Sequence, residues 1–86
     1  MGELSQLPNI GSTFEQHLNS CGIETLEDLE QAGAKGAFLM LKTLEFSDSK
    51  SVDCLYALEG AIQNVKKSKL SLEKKENLKA FYNKYR

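Results

Sequence analysis

Three sets of residues in this 86-residue chain have types and spacings that binding chemistry can use. The first is Asn9-Ile10-Gly11-Ser12-Thr13, behind Leu7-Pro8. Pro8 fixes a φ suited to a tight turn, Asn9 tolerates a left-handed backbone, and Gly11 lets another group approach closely. With a helix opening at about Gly11, the amides of Ile10, Gly11, Ser12 and Thr13 and the two hydroxyls would face a phosphate at the helix's positive end. The second set is Lys66, Lys67, Lys69, Lys74, Lys75 and Lys79, with Lys84 and Arg86 beyond. Such a surface suits a nucleic-acid backbone or an acidic protein. The third is His17 and Cys21, four apart on one helix, with Cys54 further along. A structural zinc site wants four ligands in close pairs, and the chain has no Cys-x-x-Cys pair, so no metal is expected. Both thiols read as small packed hydrophobes.

Each set also has a plainer reading. Residues 1–62 carry three basic side chains against ten acidic ones, a net −7, and the first 34 residues hold no Lys or Arg. DNA affinity rests mostly on neutralised phosphates, so a hairpin without cations and with Glu15 close by starts at a disadvantage. DNA-binding hairpins usually have glycine where Asn9 stands and a lysine nearby; neither is present. The charge count therefore favours a structural turn, with Ile10 plugging the core. Residues 63–86 carry eight basic side chains against two acidic ones, a net +6. A cationic tail folded on an anionic body needs no outside partner, and this reading stands level with the contact-surface one. His17 reads as a partly exposed helix residue. There is no phosphate-loop motif, no nucleophile elbow, and no Ser or Cys partner for His17. The chain is expected not to be an enzyme and to take neither cofactor nor small-molecule substrate.

The positioning elements follow from periodicity. Residues 1–86 make a single domain, near the lower size at which a chain folds without staples. Within it lies a hairpin unit, residues 4–33. Leu4 and Leu7 form a short turn, then Ile10, Phe14 and Leu18 share one helix face until Gly22 stops the helix. Thr25 caps a second, short helix with Asp28 as its capping-box partner, and Gly33 ends it. A third helix, about 34–44, buries Ala37, Phe38, Leu41 and Leu44. Phe46 to Lys50 reads as a polar, flexible loop. The central helix, about 51–67, carries Val52, Leu55, Leu58, Ile62 and Val65 at steps of three or four. Gly60 inside it costs about 1 kcal/mol relative to Ala, which points to the close approach of another helix backbone. After Ser71 as N-cap, a basic helix over 71–86 turns Leu78, Phe81, Tyr82 and Tyr85 to one side. The fold class is all-α, a compact bundle of about five helices with a helix-hairpin-helix or SAM-domain-like layout. The expected core is Ile10, Phe14, Leu18, Leu29, Leu41, Leu55, Leu58, Ile62, Leu78 and Phe81.

The longest apolar run, Ala37 to Leu41, is far too short for a bilayer, and residues 1–6 lack the features of a signal peptide. A cytoplasmic protein with no membrane contact is expected.

These residues carry a family pattern. The chain resembles the C-terminal domain of the TfoX/Sxy bacterial competence regulators through Leu7-Pro8-Asn9-Ile10-Gly11, Gly22-Ile23 with Thr25 and Leu29, and Gly33-Ala34 with Ala37. The match continues through Leu55-Tyr56-Ala57-Leu58-Glu59-Gly60-Ala61-Ile62 to Leu78, Phe81 and Tyr82. The resemblance implies a helix-hairpin-helix-like fold and a link to transcriptional regulation or DNA uptake. Full-length members add an N-terminal domain, for which 86 residues leave no room, so this chain is expected to keep only the scaffold. The expected role is a small interaction or regulatory module working through protein contacts or self-association. The alternative is nucleic-acid binding through the hairpin amides, the lysine-rich end, or both.

Overall fold

A computed structural model describes residues 2–85 of the chain. Arg86, the last cation of the basic tail, lies outside them. The described residues form four α-helices, α1 (Ser12–Ser20), α2 (Leu26–Thr43), α3 (Val52–Gln63) and α4 (Leu72–Tyr85), with short 3-10 turns at Leu4–Gln6, Ser47–Lys50 and Lys67–Lys69. No strand occurs among them. Gly33, at φ 76° and ψ 165°, breaks α2 into two helical stretches, so the expected five helical segments are present.

The helix ends follow local chemistry. Gly22, at φ 87°, lets the chain leave α1 with a left-handed residue. The Thr25 hydroxyl accepts the Asp28 N–H, and the Asp28 carboxylate accepts the Thr25 N–H, completing the capping box. The Ser71 hydroxyl accepts the Lys74 N–H at the start of α4. The central helix is shorter than expected. Asn64 adopts a left-handed conformation, the Val65 N–H returns to the Gly60 carbonyl, and α3 stops at Gln63.

Leu4, Leu18, Leu29, Phe38, Leu41, Leu55, Leu58 and Leu78 are the largest fully buried side chains. α3 lies at the centre, packed on α2 and α4. Of the expected core, Phe14, Ile62 and Phe81 are half-buried against it, and Leu4, Ile23, Phe38 and Leu70 join it. Leu44 does not: it is 50% exposed, because it stands past the last residue of α2 and Glu45 then turns the chain left-handed.

The segment expected to be an open polar loop is a tied 3-10 turn. The Ser49 hydroxyl donates to the Phe46 carbonyl, and the Tyr82 hydroxyl of α4 donates to the Lys50 carbonyl at 2.8 Å. His17 bonds the Asp48 carboxylate through Nδ1 and stacks on Phe46, with ring centroids 4.3 Å apart. Helix α1 is thereby fastened to the α2–α3 connection. Among the described residues, no helix is long and apolar enough to cross a membrane.

Candidate functional site

The hairpin turn is built as its residues dictate, but its key side chain is occupied. Asn9 sits at φ 72°. Its Nδ2 donates to the Val65 carbonyl at 3.0 Å and to the Ala57 carbonyl at 3.4 Å, and its Oδ1 accepts the Lys67 N–H at 3.0 Å. Asn9 is therefore a clamp that holds the α3–α4 connection against the hairpin. Glycine at this position would satisfy the backbone and lose all three bonds, which is why asparagine stands there. The Ile10 N–H is also taken, donating to the Leu7 carbonyl, and the Ile10 side chain is buried. Of the expected phosphate ligands, Gly11, Ser12 and Thr13 are the exposed ones, at the first turn of α1.

The clamp explains Gly60. A Cβ added there would lie 2.4 Å from Asn9 Nδ2 and 2.7 Å from the Val65 carbonyl oxygen. The close approach expected of another helix comes instead from a side chain and from the loop that follows α3.

Glu15 is not a repulsive charge at the hairpin mouth. It is only 4% exposed, and its carboxylate accepts the Gly2 N–H at 3.1 Å and the Ser5 N–H at 3.0 Å. The Gly2 hydrogen bond leads in holding its carboxyl below the usual carboxylate value. Glu15 thus secures the N-terminal turn from inside. Helix periodicity shows an acid on a polar face; it does not show that two backbone donors from residues 2 and 5 cover it.

The lysines divide. Lys67 pairs with Asp53 and is half-buried, while Lys66, Lys69 and Lys79 are exposed and Lys74 and Lys75 half-buried. Among the described residues, Lys67–Asp53 is the one ion pair joining the basic tail to the acidic body. A groove of about 570 Å³ runs between the hairpin and the tail, lined by Leu7, Pro8, Asn9, Asn64, Lys66 and Lys67 among others. The two candidate surfaces are therefore neighbours, joined by the Asn9–Lys67 bond across 58 residues of sequence.

His17, Cys21 and Cys54 are not assembled as a metal site. His17 is engaged by Asp48 and Phe46, and no group of three or more His, Cys, Asp or Glu among the described residues is arranged to hold a metal. Burial, with Asp48 and Asp53 adding to it, pushes the Cys54 thiol up to about 12, and burial also raises Cys21.

One surface feature escaped periodicity. Leu39, Met40, Thr43 and Leu44 at the end of α2 face Ser20 and Cys21 at the end of α1 across a groove of about 360 Å³. Met40 and Leu44 are 40% and 50% exposed, and none of the six residues is charged. The signal available in the sequence was Gly36 to Leu44, where Lys42 is the single charge.

Comparison with known proteins gives the family and little beyond it. Two crystal structures from Listeria monocytogenes superpose closely. One, an uncharacterized protein in a triclinic form, has a TM-score of 0.89 at 41% identity, over 96% of this chain and 92% of that one. The other, a protein of unknown function in a tetragonal form, has a TM-score of 0.87 at 42% identity, over 98% of this chain and 100% of that one. No curated protein matches. The family model of the TfoX C-terminal domain matches residues 1–82, including the hairpin, the Asn9 clamp and most of α4, and the chain belongs to that family.

Proposed function

We propose that the domain is a small, non-enzymatic interaction module of the regulatory kind, working in the cytoplasm through protein contacts and serving competence or transcriptional control. The observation that carries this reading is the uncharged, apolar face of Leu39, Met40 and Leu44 beside Cys21. Exposed apolar side chains gathered in one place mark contact surfaces more often than singly scattered ones do. The groups best suited to catalysis are otherwise engaged: His17 holds Asp48, and the Cys54 thiol stays protonated far above neutral pH.

Site-specific photocrosslinking in the native cells tests the proposal. A benzophenone side chain at position 40 should give discrete adducts with protein. Absence of protein adducts from position 40 would remove the reading.

The second reading, binding to nucleic-acid phosphates, draws support from one arrangement. Asn9 brings the hairpin turn against the Lys66–Lys69 connection, supplying cations that the hairpin itself lacks. Duplex DNA would then bind with an affinity that falls steeply with salt, the slope counting the phosphates contacted. Replacing Lys66 and Lys69 with Glu should abolish it. Fluorescence anisotropy that stays flat at low salt eliminates the nucleic-acid reading.

A further inference from the structure

Residues 1–62 hold only three lysines against ten acidic side chains, and the fold brings all three lysines to one face. Lys35 and Lys42 stand on α2 to either side of Phe38. Phe38 meets Phe81 and Tyr82 of α4 edge to face, with ring centroids 6.1 and 5.9 Å apart. Lys35 Nζ lies over the Phe81 ring, 5.3 Å from its centroid. Phe81 packs on Tyr85 at 4.7 Å, and Lys84 Nζ lies over the Tyr85 ring at 5.4 Å. Lys42 and Lys50 line a recess of about 440 Å³ together with Glu45, Phe46, Ser49 and Tyr82.

Internal electrostatics does not account for this grouping. Lys35, Lys42, Lys50 and Lys84 are exposed, and among the described residues none of them pairs with a carboxylate. Lys42 and Lys84 occupy the last turns of α2 and α4, where a cation offsets the helix dipole. Lys35 does not: it stands in the first turn after the Gly33 break, the end at which a cation is disfavoured. What these lysines share is the aromatic bed beneath them. Lysine stems laid over rings keep their charges at the surface, which makes the face cationic above an apolar floor. Glu45 is the single acid in the lining of the recess.

We propose that this face binds an acidic segment of a partner protein, with an apolar side chain of the segment in the recess and its carboxylates on Lys42, Lys50 and Lys35. The proposal rests on the protein-contact reading and gives it a second surface and a partner chemistry. Charge complementarity sets the sign of the partner, since a basic segment would be repelled here. The rings decide against a nucleic-acid strand, whose bases bind by stacking on open ring faces. Here Lys35 covers Phe81, Lys84 covers Tyr85, and His17 covers one face of Phe46. Carboxylates need only the cations, and an aliphatic or aromatic side chain needs only the apolar wall. The seven-residue step from Lys35 to Lys42 is about 10 Å along α2, which three residues of an extended segment also span. Acidic residues three apart, with apolar ones among them, fit that spacing.

Fluorescence anisotropy of a labelled Glu-Glu-Leu-Phe-Glu-Glu peptide, titrated with the full chain at low salt, tests this. Binding is expected with a dissociation constant of about 10 μM to 1 mM, the range of a small interface. It should weaken as added salt screens the lysines. Lys42→Glu combined with Lys50→Glu should weaken it about tenfold or more while keeping the wild-type circular dichroism, since both side chains are exposed. Lys66→Glu combined with Lys69→Glu changes the net charge equally and should leave binding within about twofold. Gln in place of the peptide's Glu residues should abolish binding, and Ser in place of Leu and Phe should weaken it about tenfold. No binding at low salt overturns the proposal, as do equal losses from the two lysine pairs. A labelled oligothymidylate that binds more tightly than the peptide through Lys42 and Lys50 gives the face to nucleic acid and overturns it too. Self-association of the chain without peptide, abolished by the Lys42 and Lys50 variants, would give the face to a second copy with the same consequence. The crosslinking above reports on the face beside Cys21, so peptide binding without adducts from position 40 removes that face and keeps this one.

Discussion

Gly60 lies in the interior of α3 and Gly36 in the first turn after the Gly33 break of α2, and the contrast between their surroundings separates what this domain closes on itself from what it leaves open. Gly60 is in the core, and the atoms that exclude a side chain there belong to the same chain: the Asn9 amide, the Val65 carbonyl and the Lys67 backbone. Gly36 is half-buried, and nothing in the chain excludes a side chain from it. The hairpin end of the molecule is thus closed on itself, with Asn9 and Glu15 spent on internal hydrogen bonds. The Gly36–Leu44 face is open.

The largest expected effect falls on the clamp. Asn9→Ala should destabilise the domain by about 2–4 kcal/mol, combining unpaired backbone groups at Val65 and Lys67 with a left-handed conformation that alanine resists. Asn9→Gly should recover the conformational part only, and chemical denaturation of the two variants separates the terms. Gly60→Ala should cost about 1–3 kcal/mol through overpacking, despite the better helix propensity of alanine. In a double-mutant cycle, Asn9→Gly should absorb part of that cost, because the nearest clashing atom goes with it. Gly36→Ala should act in the opposite direction, adding about 0.4–1 kcal/mol by narrowing the unfolded ensemble at a site with room for a Cβ. Opposite signs at the two glycines are the sharpest form of the contrast.

Much of this architecture is legible in local sequence, and the clamp is not. Steps of three and four placed the helices, Thr25 with Asp28 announced a capping box, and Gly22 and Gly33 marked the stops, because each signal acts within a few residues. Asn9 reads locally as a turn residue, and so it is. Its bonds to Ala57, Val65 and Lys67 span 48 to 58 positions, a distance over which periodicity has no reach. Gly60 gave half of the signal, since it required a close neighbour without saying which. The end of α3 was overestimated because Val65 continues the apolar spacing, while Asn64 as a left-handed stop is a weaker cue than glycine. Leu44 fits the buried stripe by spacing and misses it because the helix has already ended.

Smaller effects test the closed end further. The Glu15 carboxyl titrates below its ordinary value of 4.5, so its stabilisation is complete above that pH and is lost as pH falls through the lower folded-state value. Glu15→Gln should therefore lower the melting temperature at pH 7, and the difference from wild type should shrink on acidification below pH 4.5. The thiols give the mildest readout. In the native protein, iodoacetamide at pH 8 should modify half-buried Cys21 before buried Cys54, whose thiolate is scarce at that pH. Peptide mapping by mass spectrometry reads the order, and faster labelling of Cys54 would mean that the α3 core opens more readily than its packing implies.

The division into a closed end and an open face is tested most directly by two-dimensional amide NMR of the full chain with a soluble paramagnetic agent. Broadening should be strong at Met40, Thr43 and Leu44 and weak at Gly60 and at the Lys67 amide that Asn9 accepts. Broadening of the Lys67 and Gly60 amides as strong as that of Leu44 would contradict it.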